Sequence, residues 1–156
     1  MQEKDALIEI YDDSGKNTGH KFRHEINKKL DIVKTAVVLI LNDKKQVFIC
    51  KSKEEPWPGK WGCSAAGIVR HEESLADAAK RTLKRELGLT EELTWLGESF
   101  YNFDGIRTFM SVFQGKTKTQ PKPKESEEAK WVSIEEAKKM DIMPTLAVAL
   151  EVLRVK

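Results

Sequence analysis

Between Gly67 and Leu89 the stretch GIVRHEESLADAAKRTLKRELGL gathers Glu73, Arg81, Arg85 and Glu86, and the last of these is awkwardly placed. Ser74 is a helix cap with Asp77 in the capping-box position, and Gly88 supplies the stop. Leu75, Ala78, Ala79, Thr82 and Leu83 recur at i, i+3, i+4, i+7 and i+8, which makes one packing face. Glu86 falls on that face, i+4 from Thr82 and i+3 from Leu83. It also sits in the last turn, where the helix dipole disfavours negative charge. A carboxylate at an apolar edge is costly unless it is paired or binds a cation. Two readings follow: a rim glutamate that bends to water, which is the simpler account of Glu86 taken alone, or a ligand for a metal ion.

The elements that must position this stretch are legible on both sides of it. Ala6 to Tyr11 alternates as a short strand, Asp12 to Asn17 turns, and Thr18 to Lys21 closes a hairpin. Phe22 to Leu30 is expected as a short helix. His20 and His24 would be i,i+4 in a helix that began early, a metal-binding spacing, but no third ligand lies nearby in sequence and two solvent-facing histidines are the expectation. Thr35 to Leu41 is a continuous apolar run, as in a strand buried on both faces, and Gln46 to Lys51 pairs with it. Glu54 to Gly62 is a Pro/Gly loop, and Cys63 to Ile68 is a strand of small residues that lets a backbone or ligand approach closely. Leu93 to Phe103 and Ile106 to Gln114 form a hairpin at Asp104-Gly105. Lys116 to Lys124 reads as a polar loop without a core residue. Glu128 to Val132 is a short strand, Ser133 with Glu136 starts a capped helix, and Thr145 to Val155 is an amphipathic helix. Strands interleaved with a few helices predict an α/β sandwich with a mixed sheet.

Composition sets the outer bounds. The chain has 156 residues, 40% apolar and 33% charged, with 27 basic against 25 acidic side chains. That length predicts one domain over 1–156, with an N-terminal hairpin and short helix over 1–33 and a core over 34–156. A net charge of +2 is too balanced to make nucleic acid the main partner. No apolar run reaches membrane-spanning length, and MQEKDALIEIYDD lacks a secretory layout. Cys50 and Cys63 read as buried small hydrophobes in a reducing setting, so a cytoplasmic location is expected.

The stretch resembles the box of the Nudix superfamily, G-x5-E-x7-R-E-U-x-E-E-x-G-U with U a bulky aliphatic. Gly67, Glu73, Arg81, Leu83, Glu86, Gly88 and Leu89 stand at the matching positions. Pro58-Gly59-Lys60-Trp61 before the box and Trp131 to Ala137 after it agree, so the likeness spans roughly Lys34 to Met140. The resemblance implies a Nudix-type, MutT-like α/β/α sandwich that binds magnesium or manganese beside a substrate diphosphate. It implies a structural tie between Glu73 and Arg81, and a metal held by Glu86, the Ala66 carbonyl and a further acidic residue among Glu125, Glu127 and Glu128. The plainer reading of those three is an exposed acidic stretch balancing the lysine loop. Trp57, Tyr101, Phe103 and Arg107 are candidates to line the substrate pocket, because aromatics stack on bases and Arg binds phosphate; the alternative is core or cross-strand packing. Trp61, Trp95 and Trp131 are assigned to packing. Homodimers are common in the family.

The sequence departs from the box at the metal site: Thr82 and Arg85 replace two glutamates. Arg85 is placed to compensate Glu86 and to repel a cation, while Thr82 is a candidate to hold a metal-bound water. Three readings stay open. One is a hydrolase of a nucleoside-diphosphate-type or related metabolite with a depleted metal site. Another is a catalytically silent diphosphate or nucleotide sensor in which Arg85 holds a phosphate. The third is the isopentenyl-diphosphate isomerase branch, whose N-terminal hairpin this chain shares in outline. That branch's cysteine and histidine positions hold Ala66 and Ile68, which argues against isomerisation.

Overall fold

Strand β3, Val33–Leu41, is the strand on which the rest is assembled. Its alternate side chains feed two cores. Ala36, Val38 and Ile40 pack with helix α1, Leu75–Leu87, while Val37 and Leu39 pack with helix α3, Pro144–Arg154. A strand buried on both faces needs apolar residues at every position, which is why TAVVLIL shows no alternation. The computed structural model describes residues 5–53, 57–123 and 128–154.

The main sheet holds β3, β4 (Val47–Lys51), β5 (Trp61–Gly62), β6 (Ala65–Ile68), β7 (Thr94–Phe103), β8 (Ile106–Lys116) and β9 (Ala129–Val132). Its order is β5-β4-β3-β8-β7, with β6 also on β3 and β9 also on β4. β3 and β8 run parallel, Val33 to Leu41 against Thr108 to Lys116. The other pairs are antiparallel, so the sheet is mixed and lies between α1 on one side and α3 with the short α2 (Ile134–Lys138) on the other. Asp104 (φ 54°) and Gly105 (φ 80°) turn β7 into β8, both in the left-handed region that a two-residue hairpin of the I′ kind needs. Ser133 and Glu136 form the reciprocal cap of α2.

A separate hairpin, β1 (Leu7–Tyr11) with β2 (Asn17–Phe22), lies against this body. Ala6, Ile8 and Ile10 pack on Val33 and Ile68, and single bridges join Ile8 to Arg70 and Tyr11 to Ile32.

Three expectations need correction. Phe22 to Leu30 is not a helix: only Arg23–Glu25 makes a 3-10 turn, with no buried residue. The Asn27 side chain accepts from the Lys29 and Leu30 amides, and Asp31 accepts from the Asn27 amide, so local side-chain bonds displace the helical ladder. Trp95 is 54% exposed rather than packed; it lies where the β7–β8 register slips between Trp95 and Gly97. The Lys/Pro loop is fastened rather than free. Thr117 is buried, its hydroxyl donates to Glu91 (2.5 Å), and the Lys122 amide donates to the Leu87 carbonyl at the end of α1 (2.9 Å). No helix among the described residues is long and apolar enough to cross a membrane.

Candidate functional site

The loop from β6 into α1 is fixed by three local devices. Ser74 Oγ accepts from the Asp77 amide at 3.1 Å, one half of the expected capping pair. Arg81 binds Glu73 through two bonds, Nε to Oε2 at 2.8 Å and Nη2 to Oε1 at 3.0 Å, and Nη2 also donates to the Ile68 carbonyl at 2.9 Å. The Arg70 amide adds a bond to Glu73 at 3.0 Å. Burial pushes the Glu73 carboxyl up, but the Arg81 and Arg70 bonds outweigh it and hold the group below the usual carboxylate range. At the far end Gly88 adopts φ 68° and its amide returns to the Lys84 carbonyl, as a left-handed cap requires.

The third device is the close approach of β6 to α1. A Cβ on Gly67 would lie 2.0 Å from Thr82 Oγ1. Thr82 is fully buried, and its hydroxyl has no hydrogen-bond partner among the described residues. Thr82 therefore packs under Gly67.

Glu86 stands at the other end of the same helix face, half-buried. Its Oε2 accepts a long bond from the Ala66 amide at 3.4 Å and lies 3.6 Å from Arg85 Nη2. Beside it opens a cleft of about 640 Å³ lined by Lys51, Lys53, Cys63, Ala66, Pro123 and Thr145, among others. Glu86 is the only carboxylate among the described residues that line it. Cys50 and Cys63 also reach this cleft. Burial above all, with the negative charge of Glu86 adding to it, pushes both thiols up to about 12. Neutral thiols are poor nucleophiles and poor metal ligands. A larger hollow of about 840 Å³ lies on another side of α1 between Lys80, Arg81, Lys84, Arg85, Glu91 and Glu92. It includes Arg85 but not Glu86, and long solvated side chains make most of its wall.

The other sequence candidates scatter. Glu125 and Glu127 lie outside the described residues. Glu128 is exposed and pairs with Lys51 at 3.4 Å, at the edge of the cleft rather than in it. Trp57, Tyr101 and Phe103 do come together, with ring centroids 5.3 Å apart for Trp57–Phe103 and 6.4 Å for Tyr101–Phe103. None of the three lines the Glu86 cleft. Tyr101 is buried, and burial together with the Asp104 charge raises its hydroxyl above the ordinary range. Arg107 donates to the Leu30 carbonyl at 3.2 Å, which ties β8 to the segment after β2. Sequence reasoning missed Lys51, Lys53 and Pro123. Lysines on a half-exposed strand end and a proline in a polar loop carry no signal of a shared cleft; only the fold brings them to Glu86.

Comparison with known proteins agrees with this architecture. The family profile described as NUDIX domain matches residues 32–151. An uncharacterised Nudix hydrolase of Listeria innocua is 40% identical over 70 residues, a match covering 43% of this chain and 41% of that protein. One from Pseudomonas aeruginosa is 26% identical over 153 residues, 92% of this chain and 90% of that protein. Among solved structures, the Deinococcus radiodurans protein DR0079 superposes with a TM-score of 0.74 at 17% identity, over 95% of this chain and 98% of that one. The NUDIX domain of Shewanella oneidensis NrtR, solved with ADP ribose, gives 0.68 at 15% identity, over 85% of this chain and 94% of that one. With its box loop, capped helix and mixed sheet in place, the chain belongs to the Nudix family.

Proposed function

We propose that this chain hydrolyses a diphosphate linkage in a nucleoside-diphosphate-type or related metabolite. The observation that carries the reading is Glu86 on a cleft whose other charged lining residues, among those described, are Lys51 and Lys53. Lysines offset the charge of a diphosphate, and a lone carboxylate beside them suits a cation that arrives with it. Magnesium is commonly held by one or two carboxylates together with substrate phosphates. The donor set therefore fits a metal delivered as a complex with substrate, and fits poorly with an ion held by the protein alone, because Arg85 lies 3.6 Å from the carboxylate. Glu86 and the Ala66 carbonyl would hold the ion, which supplies charge neutralisation on the phosphate oxygens and a more acidic water.

The chain's own residues would act around that centre. Lys51 and Lys53 orient the phosphates, and Pro123 from the fastened Lys/Pro loop narrows the cleft against water. The attacking water forms a new P–O bond, the bridging P–O bond breaks, and the water's proton leaves to solvent or to the departing oxygen. Isomerisation is not supported, since Ala66 and Ile68 offer no ionisable side chain where that branch needs a cysteine and a histidine.

The test is a screen of nucleotide sugars, dinucleoside polyphosphates and nucleoside triphosphates with magnesium or manganese. Turnover that disappears in Glu86→Gln supports hydrolysis. The Arg85–Glu86 contact favours a second reading, a silent sensor that binds its ligand without metal, and the ADP-ribose-bound NrtR domain has the same fold. No turnover, together with metal-independent binding that Arg85→Ala abolishes, would establish that reading instead.

A further inference from the structure

The hairpin register sets Glu9 directly opposite His20, so the two side chains share one face of the β1–β2 ribbon. The box loop reaches the same face. Ile8 bridges to Arg70, and the His71 amide donates to the Leu7 carbonyl at 2.7 Å. His71 thereby stands against Glu9, its Nδ1 in contact with Glu9 Oε1, and its ring centroid is 5.5 Å from that of His20. One ligand atom from each of Glu9, His20 and His71 falls within 4.8 Å of the other two.

We propose that Glu9, His20 and His71 form a site for a zinc-class divalent ion that clasps the N-terminal hairpin to the box loop. Two imidazoles and one carboxylate are the donors that zinc takes in three-ligand sites with an open fourth position. In tetrahedral geometry, with bonds of about 2.1 Å, the donors stand roughly 3.4 Å apart. To reach that spacing the Glu9–His71 contact would open and the exposed His20, within 4.8 Å of both, would move in.

The groups behind the ligands support the assignment. His71 Nε2 lies 3.1 Å from Glu72 Oε1, so the second ring nitrogen is directed at a carboxylate while Nδ1 faces the site. A carboxylate behind a metal-binding histidine fixes its tautomer and strengthens it as a ligand. Glu9 Oε2 accepts from Asn17 Nδ2 at 2.5 Å, which leaves Oε1 directed at His71. A plain His71–Glu9 ion pair accounts for two of the three groups. It gives no role to His20, which makes no hydrogen bond to either among the described residues. His20 and His24 are both exposed, as expected, with His20 in β2 and His24 stacked on Phe22.

The experiment is calorimetric titration of zinc chloride into full-length Glu86→Gln protein, a background that removes the box-helix carboxylate. The expected result is one equivalent bound, with a rise in Tm. His20→Ala should weaken binding by about a hundredfold and Glu72→Ala by about tenfold, while His24→Ala leaves it unchanged. Because His20 is exposed, its removal leaves the fold intact, and the Tm of the metal-free variants checks this. Cobalt substitution should give a spectrum without a thiolate charge-transfer band. Absence of zinc binding, binding undiminished in both His20→Ala and Glu9→Gln, or a thiolate band that moves the ion to Cys50 and Cys63 would each overturn the proposal.

Discussion

Gly67→Ala is the sharpest perturbation available to the box. The added Cβ would lie 2.0 Å from Thr82 Oγ1, 3.3 Å from Thr82 Cβ and 3.5 Å from Thr82 Cγ2. The hydroxyl cannot rotate into solvent, because Thr82 is fully buried on a helix whose Ala78, Ala79 and Leu83 are packed on β3. Either β6 or α1 must shift, and forced overpacking of this kind costs about 1–3 kcal/mol. For a domain of this size that corresponds to a Tm lower by roughly 4–8 °C at the middle of the range. The second substitution isolates the cause. Thr82→Ala removes Oγ1 and Cγ2, the first and third nearest atoms, so Gly67→Ala/Thr82→Ala should recover at least about 1 kcal/mol relative to the additive sum. Urea unfolding followed by circular dichroism measures all four corners of the cycle. A loss below about 0.5 kcal/mol in Gly67→Ala, or strict additivity in the double variant, would refute the argument that Thr82 serves as the packing surface for Gly67.

Other consequences are directly measurable. Arg81→Lys should destabilise by about 2 kcal/mol in urea unfolding, because an ammonium cannot serve both Glu73 oxygens and the Ile68 carbonyl at once. Asp31 is buried and bound by Lys21 and the Asn27 amide; burial raises its carboxyl, but those bonds hold the net value below the ordinary ~3.9. Its stabilising effect is complete above that ordinary value and is lost as pH falls through the lower folded-state value. Asp31→Asn should therefore flatten the acid limb of a stability–pH curve, and an unchanged limb would contradict the assignment. Trp95→Ser should alter stability by no more than about 0.5 kcal/mol, since the ring is largely exposed; a larger loss in thermal unfolding would show that it packs after all.

The parts of the fold legible in the sequence are those written locally. The cap at Ser74, the stop at Gly88, the Asp104-Gly105 turn and the Ser133/Glu136 capping box each depend on residues a few positions apart, and each forms. The unreadable parts depend on tertiary placement. Phe22 to Leu30 has the length for a helix but no apolar face to bury, and Asn27 and Asp31 took its backbone groups. Glu86 was visible as a misplaced carboxylate, but Lys51, Lys53 and Pro123 reach its cleft only because β4, β6, α1 and the Lys/Pro loop converge there. Glu9, His20 and His71 were equally hidden: two meet through strand register and the third through a loop far along the chain. Arg107 and Tyr101 have the chemistry of ligand contacts, yet one binds the Leu30 carbonyl and the other is buried.

The central claim is that Glu86 serves metal-assisted cleavage of a diphosphate in the lysine-lined cleft. Steady-state turnover of the best substrate from the diphosphate panel, in wild type and Glu86→Gln with and without magnesium, tests it most directly. Turnover should require the divalent ion and fall about a hundredfold or more in Glu86→Gln, the loss of roughly 2.7 kcal/mol of transition-state stabilisation. Turnover that persists without a divalent ion, or that is equal in the two proteins, would contradict it.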